Sequence, residues 1–125
     1  MKAKTNLTML CDFYELTMAN GYFQTGLQDR ICYFDVFYRS VPDKGGFAIA
    51  AGLAQVVEYI QELCFDEEDV DYLRAKGCFS EEFLRFLKEF QFTGDIWAVP
   101  EGTPVFPNEP IMTVRAPAIQ AQFVE

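Results

Sequence analysis

The sequence predicts an α+β domain: an N-terminal helix, antiparallel strands, and a helical insert between them. Two observations carry this. Apolar residues recur at three- and four-residue steps in three separate segments, which is the period of a helix. Runs of β-branched and aromatic residues, punctuated by glycine and proline, fill the stretches between and after them. The length of 125 residues suits one domain and not two. Half the residues are hydrophobic, 13 of them Phe, so a sizeable core can be filled.

Leu7, Leu10, Tyr14, Met18 and Tyr22 form one helical stripe from about Asn6 to Gln24, and Gly26 ends it. From Arg30 to Arg39 the run Arg-Ile-Cys-Tyr-Phe-Asp-Val-Phe-Tyr-Arg reads as a strand buried on at least one face. Val41-Pro42-Asp43-Lys44-Gly45-Gly46 makes a turn or loop. Gly46 to Ala51 suits a short strand or a helix start. Leu53, Val56, Val57, Ile60 and Leu63 mark an amphipathic helix. Asp66 caps the next one, with its acids on the positive end of the dipole, and Gly77 stops it. Ser80 caps a third, whose Phe83, Leu84, Leu87 and Phe90 face inward.

Asp95–Val99 and Ile111–Val114 are strand candidates. Between them, four prolines in eleven residues exclude a helix and limit pairing to short or edge segments. Pro117 can start a helix over the last residues, and the pattern is still running at Glu125. The expectation is a piece of a longer protein.

Composition narrows the function classes. Ten Lys and Arg against nineteen Asp and Glu give a net charge of −9, which argues against nucleic acid and against anionic membranes as partners. There is no His, so no Ser-His or Cys-His pair and no His-ligated metal can form within the chain. Cys11, Cys32, Cys64 and Cys78 are spaced too widely for a zinc site without His partners and read as buried free thiols. Lys2 and Lys4 precede Asp12 and Glu15, which interrupt what would be the apolar core of a signal peptide. The longest weakly polar run, Gly45 to Ala54, is far short of a membrane span. A cytoplasmic protein is expected.

Constellations that carry chemistry are thin. Gly45-Gly46 lacks the spacing of a phosphate loop and reads as a turn. Asp12 and Glu15, three apart on a helix, suit a cation site or an acid pair, but such residues more often face water or cap a neighbour. The acids Asp66 to Asp71 read as a solvated helix N-terminus rather than a cation site. Tyr14, between Leu10 and Met18, reads from spacing alone as core. Arg39, ending an apolar strand, suits a phosphate, a carboxylate or a surface salt bridge.

The order of words says more. Cys11-Asp12-Phe13-Tyr14-Glu15-Leu16-Thr17-Met18-Ala19-Asn20-Gly21-Tyr22 resembles the opening motif of nicotinate phosphoribosyltransferases, Thr-Asp-Leu-Tyr-Gln-Leu-Thr-Met-Ala-x-Gly-Tyr. Phe34-Asp35-Val36-Phe37-Tyr38-Arg39-Ser40-Val41-Pro42 is similar to that family's Phe-Glu-Leu-Phe-Phe-Arg-Arg-Leu-Pro, and Gly45-Gly46-Phe47-Ala48 to its Gly-Gly-Phe-Ala. Ala98 to Pro110 is similar to its Ala-Val-Pro-Glu-Gly-Thr-x-Val-Phe-Pro-x-Glu-Pro.

The resemblance implies the N-terminal domain of a type II phosphoribosyltransferase, with residues 1–116 as that domain and 117–125 as the start of the helix leading into an α/β barrel downstream. The implied enzyme transfers 5-phosphoribosyl from phosphoribosyl pyrophosphate to nicotinate, giving nicotinate mononucleotide and pyrophosphate for NAD synthesis. It couples this to hydrolysis of ATP with Mg²⁺, through a His that lies in the barrel. The family also implies a homodimer with shared active sites, and no catalytic or metal-binding residue in this part, so this part alone is expected to be inactive. Tyr14 matches the Tyr that stacks on the pyridine ring, often in the partner subunit's site. Asp12 and Thr17 match residues that would orient it. Arg39 matches the first of two arginines, a weaker candidate because Ser40 replaces the second. Nicotinamide or quinolinate relatives fit the words less well. A biotinyl or lipoyl carrier hairpin, the reading from another class, needs a modifiable Lys, and residues 89 to 125 contain none.

Overall fold

The computed structural model describes residues 6–41 and 43–125. Lys2, Lys4 and Pro42, used in the sequence reading, lie outside the described residues. The fold is α+β, with a helical insert between the strands as expected. Helix α1 (Phe13–Gln24) leads to strand β1 (Ile31–Val36) and the short strand β2 (Ala48–Ile49). The insert holds α2 (Leu53–Glu62), α3 (Glu67–Ala75) and α4 (Glu81–Lys88). Strands β3 (Asp95–Ala98), β4 (Pro104–Val105) and β5 (Met112–Pro117) follow, and α5 (Ala118–Phe123) comes last.

Strand β5 lies between β1 and β3, antiparallel to both, with Phe34 opposite Val114 and Ile96 opposite Val114 on the other side. Its Met112, Val114 and Ala116 point inward, as period-two alternation requires, and pack with Phe34, Ile96 and Ala121. Outward, Arg115 pairs with Asp95 at 3.0 Å and donates to the Tyr33 hydroxyl at 3.2 Å. The proline-rich stretch contributes only the two-residue β4, paired with β2. Helices α1, α3, α4 and α5 enclose the larger core, built on Leu16, Leu73, Phe83, Leu84, Leu87, Ile119 and Phe123. Among the described residues no helix is long and apolar enough to cross a membrane.

The two capped helices form as their sequences dictate. Asp66 accepts from the Asp69 amide at 3.0 Å while the Asp69 carboxylate accepts from the Asp66 amide at 3.2 Å, a reciprocal capping box. The Asp69 amide foremost, with the Asn6 side chain and the Glu68 amide, holds the Asp66 carboxyl below its ordinary range. Ser80 accepts from the Phe83 amide, and all four inward residues of the third stripe are buried.

Two expectations are corrected. The first helix begins at Phe13, not Asn6. Asn6 instead donates to the Cys64 carbonyl at 3.2 Å, and the Thr8 hydroxyl accepts from the Cys64 amide at 2.9 Å. Side-chain bonds to the loop after α2 therefore hold this segment out of the helix, and Leu7 and Leu10 are exposed. The thiols are not buried: Cys64 and Cys78 are exposed, Cys11 and Cys32 half-buried. Around Cys64 the chain turns Leu63 and Phe65 into the core, which leaves the residue between them outside. The last helix spans Ala118–Phe123, as Pro117 leads one to expect, and the Val124 and Glu125 amides donate to the Ala121 and Gln122 carbonyls.

Candidate functional site

Helix α1 buries Leu16 and Ala19, and its opposite side carries Tyr14, Thr17 and Met18, all exposed. Tyr14 is 46% exposed. That overturns the reading of it as core: Leu16 and Ala19 define the inward face, and Tyr14 lies off it. Its hydroxyl donates to Glu125 Oε1 at 3.1 Å, and that carboxylate raises the phenol's pKa. Thr17 Oγ1 donates to the Tyr14 carbonyl at 2.9 Å, one turn back, and so is spent within the helix. Asp12 is the extended N-cap residue of α1, with no side-chain capping bond.

Two hollows flank this face, and Val124 and Glu125 belong to the walls of both. One, of about 580 Å³, is lined by Met18, Tyr22, Phe34, Phe37, Arg39 and Gln122 among others. Arg39 has no ion pair or hydrogen bond among the described residues. Gln122, fully buried, donates to Glu125 at 2.6 Å and accepts from the Tyr22 hydroxyl at 3.4 Å. The other hollow, also about 580 Å³, holds Asp12 with Cys11, Glu15 and Tyr59. Arg39 thus shares one hollow with Glu125 and Asp12 shares the other, while Tyr14 lines neither and meets Glu125 through its hydroxyl. Sequence reasoning missed Gln122 and Glu125, because only the packing of α5 on α1 brings the chain's end beside Tyr14.

Glu15 is only 7% exposed, and its carboxyl is pushed up by burial first, then by Glu125 and Asp12; bonds from Cys11 and the Asp12 backbone pull the other way. Burial also raises the Cys11 thiol to about 11 and the Tyr59 phenol to about 12. A carboxyl raised in the folded state favours folding while protonated, and that advantage is lost as pH rises through its folded pKa. Glu15→Gln removes the buried charge and keeps the shape. Thermal melts should show the variant more stable than the parent at pH 7 and above, with the gap closing below about pH 4. A gap that does not change with pH would mean that Glu15 is not charged at a cost.

The glycine words do structural work. The Gly45 amide donates to the Asp43 carboxylate at 3.2 Å, so this turn presents an acid where a phosphate cradle needs free amides. Gly52, at φ +100°, cannot cap α2 with a side chain. Glu101 does so from 49 residues away, accepting from the Gly52 amide at 3.0 Å and the Ala54 amide at 3.3 Å. Ala50 and the Gly102-Thr103 turn exchange two backbone bonds beside it. The residues just after the Gly-Gly-Phe-Ala word and the Pro-Glu-Gly word therefore clasp one another.

The family model described as the nicotinate phosphoribosyltransferase (NAPRTase) N-terminal domain matches residues 9–125. The chain belongs to the nicotinate phosphoribosyltransferase family. It is 48% identical over 117 residues to a nicotinate phosphoribosyltransferase of Mycobacterium tuberculosis, covering 94% of this chain and 25% of that protein. The Bacillus subtilis nicotinate phosphoribosyltransferase is 36% identical over 120 residues, covering 96% of this chain and 24% of its own length. In three dimensions the chain is similar to the crystal structure of human nicotinic acid phosphoribosyltransferase, with a TM-score of 0.82 and 30% identity over 91% of this chain and 23% of the human one. A nicotinate-nucleotide pyrophosphorylase from Pyrococcus furiosus shares the fold, with a TM-score of 0.68 at 14% identity, over all of this chain and 25% of that one. The chain spans about a quarter of the length of the curated relatives it matches.

Proposed function

We propose that this chain is the N-terminal domain of an enzyme that transfers 5-phosphoribosyl from phosphoribosyl pyrophosphate to nicotinate, giving nicotinate mononucleotide and pyrophosphate. Family membership supports the reaction. The observation that carries the site is the Tyr14 ring, held outward on α1 while the helix's other face anchors the core. A flat aromatic face suits a pyridine ring, since offset stacking contributes about 0.5–1.5 kcal/mol beyond burial. Thr17 braces the turn that presents it, and Asp12 stands at the N-cap, where its carbonyl accepts from the Glu15 amide at 3.1 Å. Arg39, without a partner among the described residues and lining an aromatic-walled hollow, offers a fork for a carboxylate or phosphate oxygen.

ATP hydrolysis would supply the driving force and Mg²⁺ would neutralise pyrophosphate charge. The described residues offer no arrangement that suits either group. Among the described residues no cluster of His, Cys, Asp or Glu is arranged to hold a metal ion, and the Gly45 turn faces Asp43. Both would bind in the remainder of a full-length enzyme. A cytoplasmic homodimer with shared sites completes the proposal; the exposed run of Leu10, Phe13, Tyr14 and Met18 supports a partner surface here.

Tyr14→Ala in the full-length enzyme tests the reading. The KM for nicotinate should rise on the order of tenfold with the melting temperature barely changed, while Tyr14→Phe stays near the parent. A melting temperature that falls with KM intact would make Tyr14 a packing residue and end the substrate reading.

A further inference from the structure

We infer that Tyr38 is a positioning residue for Arg39, an inference that rests on the anion-holding role proposed for Arg39 above. Strand β1 ends at Val36, whose carbonyl accepts from the Ile111 amide at 2.8 Å. The next fixed point is Tyr38, gripped at both ends. Its carbonyl accepts from the Asn108 amide at 2.8 Å, and its hydroxyl donates to the Val105 carbonyl at 2.6 Å. Arg39 follows directly and lines the hollow with Met18, Tyr22 and Gln122.

The segment that grips Tyr38 is itself stiff. Pro104, Pro107 and Pro110 restrict its backbone. Asn108 sits at φ +63°, and the Glu109 carboxylate accepts from the Phe106 amide at 3.3 Å. The proline-rich loop is thus a mould for one tyrosine, and through it for the backbone of the following arginine. The family word quoted above has Phe where this chain has Tyr38 and a second Arg where it has Ser40. A lone guanidinium has to hold an anion without a neighbour's help. Ordering its backbone beforehand lowers the cost of binding, and the added hydroxyl supplies that order.

The test uses the ¹⁵N-labelled chain with inorganic pyrophosphate as the probe at low salt. In Tyr38→Phe the heteronuclear NOE of the Arg39 amide should fall toward loop values, with β3 and α4 unchanged, and pyrophosphate should bind about fivefold more weakly. Tyr33→Phe, which removes a hydroxyl on the outer sheet face, should change neither. Unchanged Arg39 order and affinity in Tyr38→Phe would overturn the inference while leaving Arg39 as the anion holder. Pyrophosphate shifts that persist in Arg39→Ala, or that never occur in the parent, would overturn the anion reading, and the positioning role with it.

Discussion

Phe83→Ala should destabilise the domain by about 3–5 kcal/mol, a large share of what a domain of this size has. Phe83 is wholly buried at the start of α4. Its ring centroid lies 5.6 Å from both Phe23 and Phe79 and 6.3 Å from Phe86. It therefore joins α1, the loop before α4, and α4 itself. Truncation forfeits the transfer energy of the ring and leaves a cavity walled by other rings, which are anchored to three backbones and cannot collapse together. Phe106→Ala is the control, because that ring is 50% exposed beside β4 and should cost well under 1 kcal/mol. Urea unfolding of both variants checks the contrast. Equal losses would mean that the aromatic cluster around α4 is not the core's centre.

Why Phe83 is legible in the sequence and Tyr14 is not follows from their surroundings. Around Phe83 every local signal agrees: Ser80 caps, Glu81 and Glu82 sit at the positive end of the dipole, and Phe83, Leu84, Leu87 and Phe90 repeat at helical steps. Tyr14 also falls on helical steps with Leu10 and Met18, yet those two are exposed. The stripe that α1 buries is Glu15, Leu16 and Ala19, and it includes a carboxyl that no hydrophobic pattern would select. Only the motif pointed to Tyr14 as a surface residue with a purpose.

The strands of the sheet were visible as β-branched and aromatic runs, but the β2–β4 pair was not. It exists because Glu101 caps α2 and the Gly102-Thr103 turn bonds to Ala50, contacts made across about fifty residues. The same limit hid the hollow beside Arg39. Its floor is Gln122 of α5, and a fully buried glutamine in a helix of six residues announces itself only through its partners Tyr22 and Glu125.

Gly94→Ala should cost about 1–3 kcal/mol and loosen one strand in particular. Gly94 immediately precedes β3, where the chain comes against β5. A β-carbon there would stand 2.6 Å from the Ala116 β-carbon, 2.7 Å from the Arg115 carbonyl oxygen and 2.8 Å from the Phe92 ring. The ring can swing aside. The carbonyl cannot, because it belongs to the central strand, held on its other side by β1. Strand β3 is an edge, so the strain is relieved by peeling it away, which weakens the Arg115–Asp95 pair and moves Trp97. Trp97 is the only tryptophan in the chain, so its fluorescence reports this strand alone. The variant should show a shifted Trp97 emission and faster amide exchange in β3, with α3 and α4 unaltered. Adding Ala116→Gly removes one of the two backbone-rooted clashes and should restore part of the loss, not all of it, since the Arg115 carbonyl remains. Full restoration would mean that the two β-carbons alone set the strand spacing, and no loss in the single variant would mean that β3 sits farther from β5 than these distances require.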